Sequence, residues 1–141
     1  MRYLFMRQMT DYTCGPTTLR ICVNAFLQTT LSSANARALC KTTTDGTSWY
    51  DLRRAYKKAG LRTFNISKYS QKEWDSWLDN GYFIVTADED TYVDSHVIVV
   101  HRNHGRKLYG ILDPMRGFPT VRSKSKVLKS SKREAFAVCA A

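Results

Sequence analysis

Residues 8–19 read Gln8-Met9-Thr10-Asp11-Tyr12-Thr13-Cys14-Gly15-Pro16-Thr17-Thr18-Leu19. Beyond them Leu19, Cys22, Val23, Phe26 and Leu27 recur every three or four residues, a spacing that predicts a helix with one buried face. Pro16 suits the first turn of such a helix, where its missing N–H forfeits no intrahelical bond, so the helix begins close to Cys14. A helix start presents unpaired N–H groups and the positive end of the dipole, and both favour a thiolate over a thiol. Gln8, six residues upstream, carries an amide able to fold back and donate to a developing oxyanion. A nucleophilic thiol beside an oxyanion donor is half of a cysteine acyl-transfer site. The rest of the chain has to supply a base.

The 141 residues, 43% hydrophobic and 24% charged, are expected to form one standalone domain, residues 1–141, with a core that needs no cross-links. No apolar run approaches the ~18–20 residues that span a bilayer. The apolar patch Leu4-Phe5-Met6 is too short for a secretory signal, so a cytoplasmic location is expected. On one helix, Cys14 and Cys22 would stand about 12 Å apart, beyond the ~7 Å that a disulfide can bridge. The absence of any C-x-x-C spacing excludes zinc-ribbon and thioredoxin-like motifs. Cys22, Cys40 and Cys139 are read as buried or incidental thiols. No metal and no cofactor is expected.

Lys and Arg number 22 against 12 Asp and Glu, a net charge of +10. They gather at Arg53, Arg54, Lys57, Lys58 and Arg62, and again in a basic C-terminal segment, about 122–141, with Arg122, Lys124, Lys126, Lys129, Lys132 and Arg133. Such an excess draws nucleic acid, anionic membranes or acidic proteins. The plainer reading is a solvated basic face.

Periodicity divides the chain into a mainly helical part up to Leu78 and a mainly strand part from Tyr82. Ser32-Ser33 should cap a short helix over about Ala34–Cys40. Ser48 with Asp51 should open another, with Trp49, Leu52, Tyr56 and Ala59 inward and Gly60 as its left-handed terminator. Ser70 with Glu73 should open a third, carrying Trp74, Trp77 and Leu78 as core and closing at Asn80-Gly81. Phe83–Val85 and Val97–Val100 read as strands. Asp88, Glu89, Asp90 and Asp94 lie in an acidic loop between them that should line part of the cleft; it reads either as a plain solvated loop or as one that selects basic substrate residues. Arg102–Arg106 reads as a hairpin turn into a strand over Lys107–Asp113, which Pro114 ends. Ala135–Cys139 reads as a short strand or a helix end.

A cysteine nucleophile needs a base that takes its proton and returns it to the leaving group. Of three histidines, His104 falls in the turn, while His96 and His101 stand at opposite ends of one strand. Five residues apart, they should face opposite sides of the sheet. His96 opens the strand, where it can reach a helix end. A hairpin turning over Asn103–Arg106 would set Asp113 directly opposite His96, placing a carboxylate to fix the imidazole. On these residues alone, an ordinary core or edge histidine stays open for His96.

Gln8, Thr13–Leu19, Ser95-His96-Val97-Ile98-Val99-Val100 and Ile111-Leu112-Asp113-Pro114 together resemble the signature blocks of C39-like cysteine peptidases. These are papain-like enzymes best known as N-terminal domains of bacteriocin-exporting ABC transporters. Gly46-Thr47-Ser48-Trp49-Tyr50-Asp51-Leu52 and Lys58-Ala59-Gly60-Leu61 resemble the family's middle block, and the matches keep the family's order over residues 8–117. The resemblance implies an α+β papain-like fold, a helical half packed on an antiparallel sheet. It also implies a catalytic set of Cys14 as nucleophile, His96 as base and acid, Asp113 as its orienter and Gln8 in the oxyanion hole. The substrate would be a peptide or protein, the host a bacterial or phage-infected cell. Thr13 stands where many members carry Asp, and the basic tail after Gly117 matches poorly. Two alternatives remain: a papain-like deamidase, transpeptidase or deconjugating enzyme, and a non-enzymatic basic module binding nucleic acid or an acidic partner.

Overall fold

Serine hydroxyls start three of the helices. The computed structural model describes residues 14–89, 96–116 and 118–141. Within it, Ser32 Oγ accepts from the Asn35 N–H at 3.1 Å, Ser48 Oγ from Asp51 at 3.1 Å and Ser70 Oγ from Glu73 at 3.3 Å. Each cap satisfies a donor that the helix itself leaves orphaned, a contribution of about 1 kcal/mol. The helices are α1 (Cys14–Leu27), α2 (Ser33–Cys40), α3 (Trp49–Lys58) and α4 (Gln71–Asp79). Gly60 and Gly81, at φ 98° and 87°, end α3 and α4 in the left-handed region that glycine enters without strain. Glu73 does not close a reciprocal box with Ser70. Its carboxylate takes the Ser67 hydroxyl and the Lys68 N–H instead.

The strands are β1 (Leu61–Asn65), β2 (Phe83–Ala87), β3 (Val97–Asn103), β4 (Leu108–Leu112), β5 (Thr120–Ser123) and β6 (Ala135–Ala140), with α5 (Lys124–Ser130) between the last two. They form one sheet in the order β1-β6-β2-β3-β4-β5, antiparallel throughout. Every residue of β2 is buried, because helices cover both faces of the sheet. Phe83 and Val85 pack with Leu19, Cys22, Leu52 and Tyr56 of α1 and α3. Ile84 packs with Trp74 and Leu78 of α4 and Val127 of α5. The expected helical half is therefore α1–α3 alone, and α4 lies on the opposite face with α5. Two-sided burial is why these strands read as unbroken apolar runs rather than alternating ones.

β1, β5 and α5 escape the sequence pattern. β1 is an edge strand with only Leu61 fully buried, and β5 and α5 lie inside the basic run. Ala135–Ala140 resolves as a strand that sits inside the sheet, between β1 and β2. Among the described residues, no helix is long and apolar enough to cross a membrane.

Candidate active site

Cys14 is the first residue of α1, and its neighbour explains why it can sit where it does. A Cβ on Gly15 would lie 3.3 Å from Thr47 Oγ1 and 3.4 Å from Leu52 Cδ1, so a larger residue would push the first turn off the α3 end of the molecule. Thr47 is itself held by a 2.7 Å hydroxyl contact with Thr42. Tyr56 of α3 donates to Thr18 Oγ1 at 3.0 Å, and the Thr18 hydroxyl donates to the Gly15 carbonyl at 2.7 Å. Burial holds the Tyr56 phenol well above its usual pKa, so it stays a donor. This chain of hydroxyls fixes the start of α1 from α3.

The Cys14 thiol, half-buried, shares a hydrogen bond with the side chain of His96. His96 is 5% exposed, and its Nε2 lies 2.7 Å from Asp113 Oδ1. Burial by itself would lower the imidazole pKa. The Asp113 hydrogen bond, followed by the bond and charge interaction with Cys14, outweighs it and raises His96 to about 9. At neutral pH the ring is therefore protonated between a carboxylate and a sulfur.

The route to this contact differs from the expected one. β3 and β4 pair Val99 with Leu112 and Val100 with Ile111, then Arg102 with Gly110 and Asn103 with Tyr109. Continued outward, that register sets Ile98, not His96, opposite Asp113. His101 is the extra residue of a β-bulge, and the turn falls after Asn103. His96 precedes the strand and Asp113 follows one, so both side chains escape the pleat and meet diagonally. His101 packs edge-on against Phe83 at 6.0 Å, and burial, with Arg102 nearby, pushes it down to about 4. His104 is exposed in the turn. Of the three, His96 is the one brought to Cys14.

Two residues of the site were read otherwise in the sequence. Arg122 of β5, assigned to a solvated basic face, donates to Asp113 Oδ2 and to Asp88 Oδ2, each at 2.7 Å. Asp88, expected to line part of the cleft in a solvated or substrate-selecting loop, is fully buried and occupied by that guanidinium. This corrects the acidic-loop expectation for Asp88; Glu89 is half-buried, while Asp90 and Asp94 lie outside the described residues. Lys124 is likewise not on a solvated face: it is 3% exposed and pairs with Asp75 at 3.1 Å. A run of Lys and Arg hides which of its members turn inward. The one available cue was that Asp88 directly follows an apolar strand.

Gln8 also lies outside the described residues. All four cysteines are free, Cys22 and Cys40 buried and Cys139 partly so. Burial pushes both Cys22 and Cys40 up to about 12. Among the described residues, no group of three or more His, Cys, Asp or Glu side chains is placed to hold a metal ion.

A family model described as the Peptidase C39 family matches residues 2–130. Among solved structures, the peptidase domain of Streptococcus ComA, a bi-functional ABC transporter involved in a quorum-sensing pathway, superposes with a TM-score of 0.80 at 23% identity, covering 99% of this chain and 100% of that one. A double-glycine-motif protease from an AMS/PCAT transporter, crystallised with its leader peptide, gives 0.71 at 17% identity, covering 98% of this chain and 90% of that one. The peptidase domain of Streptococcus mutans ComA gives 0.67 at 23% identity, covering 99% of each chain. At these identities the likeness is one of fold. No curated protein sequence matches the chain.

Proposed function

This chain belongs to the peptidase C39 family of cysteine peptidases, and from that premise we propose that Cys14, His96 and Asp113 are its catalytic triad, with Gln8 as oxyanion donor. The observation that carries the reading is one buried imidazole joined at once to the Cys14 thiol and the Asp113 carboxylate. His96, protonated at neutral pH, stabilises Cys14 as thiolate. Cys14 Sγ attacks the carbonyl carbon of the scissile peptide bond, and the carbonyl oxygen takes the negative charge. The Gln8 amide and the Cys14 N–H, which has no intrahelical acceptor at the head of α1, donate to that oxygen. His96 gives its proton to the leaving amine, which departs and leaves a thioester on Cys14. Water then attacks the thioester, His96 takes a proton from it, and Cys14 Sγ is released as the leaving group.

The proposed substrate is a peptide or protein carrying a leader segment, cut at small residues. Support comes from the AMS/PCAT relative, a double-glycine-motif protease bound to a leader peptide. Residues 1–141 are taken as one catalytic domain. Its proposed location is the cytoplasm, where thiols such as these four stay reduced.

The test is incubation of the enzyme and its Cys14→Ala variant with leader-type peptides that do or do not contain a double glycine, with products read by mass spectrometry. Cleavage by the native enzyme alone, with a thioester trapped on Cys14, supports the reading. Equal cleavage by Cys14→Ala sinks it. Conversion of a side-chain amide to an acid, or transfer to an added amine with no hydrolysis, assigns the same thiol to a different acyl acceptor or bond.

A further inference from the structure

We propose that Arg122, itself held by Asp88, is a positioning residue of this peptidase, fixing the Asp113 carboxylate and offsetting its charge behind His96. The proposal rests on Cys14, His96 and Asp113 being the triad.

Four contacts close a ring. His96 Nε2 meets Asp113 Oδ1 at 2.7 Å, and Arg122 reaches Asp113 Oδ2 and Asp88 Oδ2, each at 2.7 Å. The Asp88 N–H donates to the His96 carbonyl at 2.8 Å. The members come from the end of β2, the start of β3, the end of β4 and the middle of β5. Asp113 Oδ1 also accepts from the Met115 N–H at 2.9 Å, so Arg122 serves the oxygen that those two donors leave. Asp113 and Asp88 are both fully buried, where water cannot replace a lost donor. A buried carboxylate deprived of its counter-charge is strongly disfavoured and turns towards whatever donors remain.

Among the described residues, the titratable and charged groups facing His96 are Cys14 from α1 and Asp113 beyond β4. Arg122 of β5 and Asp88 beyond β2 stand one contact further. With His96 protonated, the ring holds two cations and two anions. Removing Arg122 leaves the carboxylates uncompensated and strengthens the hold on the His96 proton. Removing the Asp88 charge leaves Arg122 wholly to Asp113 and weakens that hold. The two changes must therefore move His96 in opposite directions, which loss of packing would not do.

The experiment is kcat/KM against pH for the full chain and for Arg122→Gln, Arg122→Lys, Asp88→Asn and the double variant Asp88→Asn/Arg122→Gln. Circular dichroism serves as a check on folding, and Cys14→Ala serves as the reference for the triad. Arg122→Gln should lower kcat on the order of tenfold, as loss of an outer partner of an oriented imidazole does elsewhere, with KM nearly unchanged and the basic limb moved up. Asp88→Asn should move that limb down, and the double variant should return it towards the native position. Arg122→Lys should recover the limb better than it recovers kcat, because lysine restores charge without the fork. If Arg122→Gln fails to fold, the Asp88→Asn and double-variant limbs still decide. Limbs that stay at the native pH, or move the same way in both single variants, overturn the proposal. If Cys14→Ala is inactive while the limbs do not move, Arg122 is structural and the triad stands. If Cys14→Ala stays active, the triad reading itself falls, and this proposal falls with it.

Discussion

His96 Nε2 and Asp113 Oδ1 meet at 2.7 Å although the strands that carry them do not pair the two residues. The contact is made from beyond the ladder, by one residue before β3 and one after β4. Because Asp113 is the first of the groups that raise His96 to about 9, activity should fall away on the basic side as pH passes that value. Asp113→Asn removes the charge, lowers the His96 pKa and brings the basic limb down. It should also lower kcat on the order of 10²-fold through loss of orientation. A pH–rate profile measured with one peptide substrate checks both, and an unmoved limb would count against the pair.

Alkylation should separate the four cysteines. Iodoacetamide at neutral pH should label Cys14 fastest, since burial holds Cys22 and Cys40 at about 12 and out of reach. The fast phase should vanish in Cys14→Ala, and Cys22 and Cys40 should label only after unfolding. Peptide mapping of timed samples reads this directly. Rapid labelling of Cys40 in the folded protein would contradict the burial described for α2.

Gln8→Ala should reduce kcat by about 10²–10³-fold with little change in KM, the signature of a donor that acts on the oxyanion and not on bound substrate. Steady-state kinetics on the variant give the split. A rise in KM at constant kcat would assign Gln8 to substrate binding instead.

Gly15→Val should destabilise the fold by roughly 1–3 kcal/mol, because its side chain would meet Thr47 and Leu52 at the start of α1. Tyr56→Phe should cost about 1 kcal/mol by removing the donor to Thr18. Urea unfolding measures both. The glycine variant should lose more activity than its stability loss explains, since Cys14 shares its turn.

The start of α1 at Cys14 was readable from sequence because its determinants are local: a proline suited to the first turn, a glycine, and an apolar stripe behind them. Ser48 and Ser70 were readable for the same reason, each lying three residues from the N–H it caps. The His96–Asp113 partnership was anticipated by way of a register that does not exist, since the turn closes beyond Asn103, which pairs with Tyr109, and the bulge at His101 recovers only part of that offset. Arg122 and Asp88 were missed because their meaning depends on β5 lying beside β4, a relation between distant segments that no periodicity encodes. The second helical layer was hidden likewise, because an apolar run does not say how many of its faces are covered.

β6 is inserted between β1 and β2, with Phe136 opposite both Asn65 and Val85. α1 rests on β3 and also on β6. The surface that holds Cys14 against His96 is thus finished by the last strand in chain order. During synthesis the thiol exists long before the platform that aligns it. The α1–β6 contact cannot form until Ala135–Ala140 has been made, so the sheet on which α1 rests is completed by a segment far from Cys14 in sequence.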